Sequence, residues 1–169
     1  KALESYNELG NKTEVANGLI NLGVLKHMQN QFDAAYENYR EAFKSGNELN
    51  DYGIKSICLN NMAQIYFDKG DYEKSVSLNY DALEIREIMG MEADISDSYL
   101  SITEAALKLN NSELAQETLD SAFIFCNKTE NIEGIILYHK LMSELHAKKN
   151  NFQLAYNFLY WLRDVVLPP

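Results

Sequence analysis

The apolar, small and turn-forming residues of this chain recur in columns that are spaced 40 residues apart. One column holds large apolar residues, which are Leu22, Met62, Ile102 and Met142. The next column holds small residues, which are Gly23, Ala63, Thr103 and Ser143. A third column holds turn formers, which are Asn30, Gly70, Asn110 and Asn150. Because the columns hold in one register without an insertion, the sequence predicts a stack of similar structural units.

Each unit has the pattern of two antiparallel helices. The second helix of the first full unit carries apolar or small residues on one helical face, which are Phe32, Ala35, Tyr39 and Ala42. Between the helices of the next unit, Asp68 and Asp71 suit caps and turns, and Gly70 suits a left-handed position. We expect helices over residues 2–9, 14–28, 32–45, 52–67, 72–88, 93–108, 112–126, 132–147 and 152–166.

The small residues indicate where two helices approach each other closely. A large side chain at Gly23 or Ala35 would hold the helices apart, whereas the large columns fill the space on either side. No proline occurs before Pro168, which favours helices along the whole chain. The predicted fold is therefore all-α, with about nine helices in stacked antiparallel hairpins and no sheet.

The repeat also predicts the domain organisation, which is a single array over residues 1–169. Residues 1–12 match the second helix of a unit whose first helix is missing, because Ala2 lies 40 residues before Ala42. Four full units are expected over residues 13–50, 51–90, 91–130 and 131–169. The chain does not begin with Met, and we expect it to be a fragment of a longer protein.

Composition excludes several classes of partner. The formal net charge of −10 disfavours binding to nucleic acid and to anionic membrane surfaces. No run of about 18 apolar residues is present, so no membrane insertion is expected in this segment. Cys58 and Cys126 lie inside apolar helical patterns, which predicts buried free thiols rather than a zinc site or a disulfide.

No arrangement of residues points to catalysis, a cofactor or a metal. The chain contains none of the common nucleophile, zinc-protease or phosphate-loop motifs. His139 and His146 share a helical face near Glu144, and we interpret them as solvated or partly packed residues rather than metal ligands. The segment is therefore predicted not to be an enzyme, although a catalytic domain elsewhere in a longer chain is compatible with this prediction.

The columns resemble the tetratricopeptide repeat over essentially the whole chain. The resemblance is carried by "NLG" at residues 21–23, "FDAAYENYREA" at residues 32–42 and "GDYEKSVSLNYDAL" at residues 70–83. The family repeat usually has 34 residues and a proline near its end, whereas this repeat has 40 and no such proline. We expect the extra residues to lengthen both the helices and their connections. Ser112 replaces the usual aromatic residue, and Leu162 replaces the usual alanine.

The resemblance implies an α-α superhelix that binds a protein or peptide in a concave groove lined by first helices. The 40-residue variety is similar to repeats of bacterial signalling proteins and of Pins/LGN-type and kinesin-light-chain scaffolds. The phrase "ALEIREIMGMEADISDSYLSI" at residues 82–102 resembles the sensory segments of bacterial histidine kinases and nucleotide cyclases. We therefore expect a non-catalytic sensory or scaffolding module of a larger signalling protein.

The first helices contain residues that packing does not use and that spacing places on the groove side. These are Asn17, Asn21, His27, Asn60, Asn61, Gln64, Phe67, Asp68, Asp97, Ser101, Glu104, Lys108, Lys140, Glu144 and Lys148. Asn61 and Asn21 are the strongest candidates, because a carboxamide can donate to and accept from an extended peptide backbone. The alternative is that these amides cap or bridge neighbouring helices.

A second function is self-association through terminal or convex helix faces. The last predicted helix keeps apolar residues with no following repeat to cover them, and a terminal helix normally has a polar outer face. Either a further helix has been cut off from this segment, or the surface meets a partner. In the second case we expect a homodimer through Tyr160, Trp161 and Val165, as the alternative to peptide binding.

Overall fold

A computed structural model describes the backbone of residues 2–166 and the side chains of residues 10–161. This part of the chain is helical and contains no strand. The helices are α1 (Ala2–Met28), α2 (Phe32–Leu49), α3 (Tyr52–Asp68), α4 (Tyr72–Ile88), α5 (Glu92–Lys108), α6 (Ser112–Lys128), α7 (Ile132–Lys148) and α8 (Phe152–Val166). The predicted all-α fold of stacked hairpins is confirmed, with eight helices over residues 2–166 rather than nine.

The difference in helix number comes from α1. One continuous helix, Ala2–Met28, spans both the 2–9 and 14–28 segments that the sequence assigns to separate helices. The intervening residues include Gly10 and Asn11, but a glycine inside a helix costs only about 1 kcal/mol relative to alanine. Without a proline, that cost does not end the helix. For the same reason α2 continues past the predicted end at residue 45 to Leu49.

The extra residues of the repeat lie in the helices and not in the connections. Helices α3 to α7 each contain 17 residues, and the connections along residues 2–166 contain only two or three. The expectation of longer connections is therefore wrong. The segment "SGNELNDYGIKS" at residues 45–56 suggested longer connections, but it forms the end of α2, a two-residue connection and the start of α3.

A left-handed residue follows each first helix and turns the chain. Asn30, Asn110 and Asn150 have φ of 56° to 58°, and Gly70 has φ of 83°. After each of these residues, the next backbone N–H donates to a carbonyl five residues earlier, as Asp71 does to Tyr66 at 2.9 Å. This arrangement satisfies carbonyls at the helix end and reverses the chain tightly. The structure thus confirms the predicted column of turn formers.

A second set of residues with left-handed backbone conformation lies in the connections between hairpins, and it was not predicted. Asn50, Gly90 and Glu130 are again spaced 40 residues apart, with φ of 53°, 65° and 54°. Asparagine and glycine tolerate this conformation, but for other residues it costs roughly 1–2 kcal/mol. Glu130 is therefore a strained member of the column, and its identity concealed the column in the sequence.

Side-chain caps begin several of the helices. Asp51 and Asp71 accept hydrogen bonds from the backbone N–H groups of Ile54 and Lys74, at 3.0 and 3.2 Å. Asn131 does the same for Gly134 at 2.9 Å. The predicted capping role of Asp71 is confirmed, and these three caps mark where α3, α4 and α7 begin.

The chain forms two compact parts, each larger than one repeat, with the boundary after Met89. We call the part before this boundary unit 1 and the part after it unit 2. In unit 1, Tyr39 of α2 is fully buried among side chains of α1 and α3, including Cys58. Gly23 of α1 faces the Tyr39 ring so closely that a Cβ atom there would lie 2.5 Å from Cε1. The predicted close approach at Gly23 is confirmed, and its partner is the Tyr39 ring.

In unit 2, the column of small residues that begins at Gly23 contains two residues with hydroxyl groups, Thr103 and Ser143. The hydroxyls of Thr103 and Thr118 lie 2.7 Å apart and join α5 to α6. The Ser143 hydroxyl donates to the Ala155 carbonyl at 2.9 Å and joins α7 to α8. These bonds satisfy polar groups that burial would otherwise leave without water.

Both cysteines are buried free thiols, as predicted. Burial raises the pKa of Cys58 to about 12. Burial also raises the pKa of Cys126, although a hydrogen bond with Ser96 opposes the shift. Neither thiol has the accessible thiolate that a reactive cysteine requires.

Two glycines of α1 provide a matched test of the close approach. Gly23→Ala should lower the free energy of unfolding by about 1–3 kcal/mol, because the added Cβ collides with the buried Tyr39 ring. Gly18→Ala should raise it by about 0.5–1 kcal/mol, because nothing lies within 4 Å of that position. Urea denaturation of both variants checks this, and equal effects at the two sites would contradict the packing argument.

The strained turn provides a second test. Glu130→Gly should raise the free energy of unfolding by about 1 kcal/mol, since glycine adopts positive φ at no steric cost. The reverse change at the equivalent position, Gly90→Glu, should lower it by a similar amount. Thermal unfolding of the two variants measures both signs, and a destabilised Glu130→Gly protein would show that the side chain has a role beyond the turn.

Candidate ligand-binding faces

The first helices of each unit carry the residues that the sequence predicts to face a ligand. We call the exposed side of α1 and α3 the unit-1 face, and that of α5 and α7 the unit-2 face. The predicted residues of the unit-1 face are Asn17, Asn21, His27, Asn60, Asn61, Gln64, Phe67 and Asp68. Those of the unit-2 face are Asp97, Ser101, Glu104, Lys108, Lys140, Glu144 and Lys148.

Three predicted residues meet at the end of the unit-1 face. The His27 Nε2 atom lies 2.6 Å from Asp68 Oδ2, and Gln64 Nε2 donates to Asp68 Oδ1 at 3.0 Å. Asp68 is the last residue of α3, where its negative charge is unfavourable toward the helix dipole. Its carboxylate does not cap or turn the chain, and instead ties the ends of α1 and α3 together.

The amides of Asn21 and Asn61 lie on adjacent first helices. Asn21 is exposed and Asn61 is half-buried. Among residues 10–161, neither side chain takes part in a hydrogen bond, so the bridging role considered for them is not observed in that range. Each carboxamide keeps two donors and one acceptor oxygen available to a ligand.

Asn60 has a different position from Asn61. Its Nδ2 donates to Asn79 Oδ1 at 2.8 Å, and its Oδ1 lies 3.5 Å from Arg86 Nη2. Asn79 and Arg86 are both buried on α4, so the Asn60 amide is directed into the hairpin and not toward the unit-1 face. This network could not be predicted from the repeat, because the column that contains Asn79 elsewhere holds tyrosine or leucine.

Apolar side chains complete the unit-1 face. Val24, Met28 and Ile57 are exposed large hydrophobic residues on α1 and α3. Phe67 is half-buried, and its ring packs edge-on against Tyr72 with centroids 5.3 Å apart. The unit-1 face therefore combines amides with apolar groups, and its His27 and Asp68 side chains are paired with each other.

The unit-2 face combines charges of both signs. Glu104 of α5 is half-buried, and burial is the main reason why its pKa is raised. Lys140 opposes that shift, Glu144 adds to it, and Lys108 opposes it. These four predicted residues thus lie near one another, and the raised pKa shows that the lysines do not fully offset the burial of the carboxylate.

The remaining residues of the unit-2 face lie apart from this group. The Lys148 ammonium donates to Asn110 Oδ1 at 2.9 Å, near the turn between α5 and α6. Asp97 is exposed on α5, and its charge contributes to the raised pKa of Cys126. Ser101 is half-buried on the same helix.

The two histidines of α7 pack against aromatic rings of α8. The His139 ring stacks on Trp161 with centroids 3.7 Å apart, and the His146 ring stacks on Phe158 at 5.5 Å. Burial lowers the pKa of His139. No group of three or more His, Cys, Asp or Glu side chains within residues 10–161 is placed to hold a metal ion.

The residues predicted for a homodimer differ in their surroundings. Tyr160 is exposed, whereas Trp161 is half-buried over His139. The side chain of Val165 lies outside the described residues. Within residues 2–166, none of the helices carries an apolar stretch long enough to cross a membrane.

Comparisons with known proteins identify the repeat. Residues 14–88 match the family model of the tetratricopeptide repeat, as the resemblance predicted. The fold is similar to the crystal structure of the apo form of RapI, with a TM-score of 0.81 and 18% identity over 90% of this chain and 43% of RapI. It is also similar to BtubC (BKLC) from P. vanneervenii, with a TM-score of 0.74 and 16% identity over 88% of this chain and 62% of BtubC.

These structural likenesses concern the fold alone, because both identities are low. The chain spans less than two thirds of the length of either solved structure. No curated protein sequence matches it significantly.

The raised pKa of Glu104 predicts how stability depends on pH. A carboxyl whose folded-state pKa is raised stabilises the fold below its unfolded pKa, and that contribution is lost as the pH rises through the folded pKa. Glu104→Gln should therefore raise the free energy of unfolding at pH 7, and the gain should vanish near pH 4. Denaturation at both pH values tests this, with the exposed Glu117→Gln as control. A loss of stability at pH 7 would mean that the ion pairs with Lys140 and Lys108 outweigh burial.

Proposed function

We propose, from the premise that residues 14–88 of this chain belong to the tetratricopeptide repeat family, that the unit-1 face binds an extended peptide segment of a protein partner. The family fold implies a protein-interaction or scaffold module, and its repeats are generally non-catalytic. The peptide as ligand, and the unit-1 face as its site, are the parts of the proposal that go beyond the family.

The observation that carries the proposal is the pair of available amides, Asn21 on α1 and Asn61 on α3. An extended peptide presents alternating N–H and C=O groups, and a carboxamide can satisfy one of each. The exposed Val24, Met28 and Ile57 would contact apolar side chains of the ligand. Because His27 and Asp68 are paired with each other, recognition here rests on amide and apolar contacts more than on charge.

The unit-2 face supports a second, orienting contribution. Glu104, Lys108, Lys140 and Glu144 carry opposite charges in one neighbourhood, which gives little net attraction for a ligand of either sign. Charges arranged in this way fix the direction of a bound partner more than they increase its affinity. A ligand with a basic part and an acidic end would fit them.

The wider role that we propose is a sensory or scaffolding segment of a larger, bacterial signalling protein, such as a histidine kinase or a nucleotide cyclase. Support comes from the sequence resemblance of residues 82–102 to such sensory segments. The sequence of the complete protein tests this, because a kinase or cyclase domain next to the repeats would agree with it and a different neighbouring domain would refute it.

The second candidate function is self-association through the terminal helix. It is favoured by a specific observation, which is that α8 exposes Phe152, Tyr156, Leu159 and Tyr160. The two functions are compatible, because the unit-1 face and α8 involve different residues.

Asparagine substitutions test peptide binding. The double variant Asn21→Ala, Asn61→Ala should retain less of any bound partner, with affinity reduced about tenfold or more if each amide contributes about 1 kcal/mol. The matched control is Asn47→Ala, Asn127→Ala, which removes two exposed amides from second helices. Partners captured by the immobilised wild-type chain are identified by mass spectrometry and titrated against each variant. Equal affinity of the wild-type protein and the Asn21, Asn61 variant would refute the role of the amides.

A further inference from the structure

The contact between α7 and α8 contains two histidines and two aromatic side chains, which we call the histidine cluster. His139 and His146 lie seven residues apart on one side of α7. The Phe158 ring contacts both, with centroids 5.7 Å from His139 and 5.5 Å from His146. The Trp161 ring stacks on His139 at 3.7 Å. Two groups that can take up a proton are therefore part of the packing between these helices.

The histidine cluster belongs to this hairpin and not to the repeat. The positions equivalent to His139 and His146 in the other hairpins hold Leu19, Leu59 and Tyr99, and Lys26, Tyr66 and Ala106. The positions equivalent to Phe158 and Trp161 hold Asn38, Leu78 and Thr118, and Glu41, Asp81 and Ser121. No other hairpin thus joins its helices through a titratable imidazole at these positions.

Both histidines bury a ring nitrogen that has no hydrogen-bond partner. The Nδ1 atoms of His139 and His146 are buried and make no hydrogen bond among the described residues. A neutral imidazole can leave such a nitrogen without a hydrogen, whereas an imidazolium carries an N–H on both nitrogens. A buried N–H without an acceptor and a charge removed from water both destabilise the folded state. The contact therefore favours the neutral form of the two rings.

The surroundings of His139 agree with this preference. Burial lowers the pKa of His139. The face of Trp161 attracts a cation, but Trp161 and Phe158 also keep water away from the imidazole, which disfavours its charged form. A histidine with a lowered folded-state pKa stabilises the fold above its unfolded pKa of about 6.5. That contribution is lost as the pH falls through the folded pKa.

Other charged groups near α7 do not account for the lowered pKa of His139. Glu104 of α5 interacts with charges on α7, and Asp120 of α6 interacts with Tyr138. Neither contributes to the shift of His139, whose cause is burial alone. The raised pKa of Glu104 stabilises the fold in acid and so opposes loosening. The charged residues of α7 and its C-cap are Glu133, Lys140, Glu144, Lys148 and Lys149.

The helix α8 brings no charge to the histidine cluster along its described side chains. Residues 152–161 contain no acidic or basic residue. Arg163 and Asp164 follow in the sequence, and their side chains lie outside the described residues. The experiment below therefore includes Asp164 as a variant.

We propose that acid loosens the α7–α8 hairpin, because protonation of His139 and His146 places charge and buried N–H groups without acceptors in the contact between the two helices. The hairpin is thus a pH-sensitive element, and the other hairpins lack the histidine cluster on which the response depends. This inference goes beyond peptide binding and self-association, and it holds or fails independently of both.

The loosened hairpin would have a consequence for the unit-2 face. Lys140 and Glu144 of that face lie on α7, the helix that carries both histidines. Acid should therefore weaken a ligand held by the unit-2 face. This consequence rests on the proposed function, whereas the loosening itself does not.

Hydrogen exchange of the α7 and α8 amides tests the proposal. The wild-type chain is compared with the His139→Phe, His146→Phe variant, which keeps two aromatic rings but cannot take up a proton there. Both proteins should exchange alike at pH 7.5. Below pH 6.5 the wild-type chain should exchange faster, by up to about tenfold for each pH unit between the unfolded and folded pKa values. Comparison at one pH removes the intrinsic pH dependence of exchange and the titration of carboxylates that both proteins contain.

A second measurement needs no substitution in the cluster. Trp161 is the single tryptophan of the chain, so its fluorescence reports on α8. Quenching of this fluorescence by acrylamide should increase in the wild-type chain between pH 7.5 and pH 5.0, as the ring leaves His139 and meets water. Circular dichroism verifies that each variant is folded at pH 7.5.

The matched control is His27→Phe, which removes the third histidine of the chain and lies in unit 1. It should keep the acid response of α7 and α8. Equal exchange of the wild-type chain and the double variant at pH 5.0, or unchanged quenching of Trp161, would overturn the proposal. A response that persists in the double variant and disappears in Asp164→Asn would also overturn it, because a carboxylate and not the histidines would then be responsible.

Discussion

The apolar stripe on each second helix is the constraint on which this structure depends. Within each unit, the stripe packs against the first helix of its own hairpin and against that of the next hairpin, as the stripe of α2 does against α1 and α3 and that of α6 against α5 and α7. One hairpin cannot satisfy this requirement alone, so hairpins must stack. Stacking buries two sides of a first helix and leaves a third side exposed. The candidate ligand-binding faces lie on that exposed side.

Buried polar groups distinguish the hairpins from one another. The hydroxyl pair of Thr103 and Thr118 occurs in one hairpin only among the described residues, and the Asn60–Asn79–Arg86 network occurs in another. An apolar column would allow many hairpins to pack interchangeably, whereas buried hydrogen bonds require the matching partner. The small column therefore sets how closely helices approach, and its polar members set which helices pair.

Most of the fold could be predicted from the sequence because its signals are periodic. The 40-residue columns identified the hairpins, the small positions and the turn after each first helix. The break expected near Gly10 was wrong, because a local preference is weak against the continuation of a helix. The second left-handed column was missed because Glu130 has no preference for that conformation, and only the backbone reveals it.

The candidate site was less predictable, because it depends on contacts between helices and not on spacing along one helix. Spacing placed His27 and Asp68 on first helices, but only the structure brings their side chains together. Spacing also could not separate Asn60 from Asn61. Adjacent residues on a helix point about 100° apart, and that angle directs Asn60 into the hairpin while Asn61 remains at the surface.

The short left-handed turns have a consequence for how such a chain changes during evolution. Because each turn is set by one residue and each helix in the series from α3 to α7 has the same length, gain or loss of a complete 40-residue repeat leaves the contacts inside the other hairpins unchanged. A single inserted residue within a helix would instead rotate all following side chains by about 100° and move the apolar stripe out of register. The length of the array is thus free to vary in whole units, while the length of each helix is not.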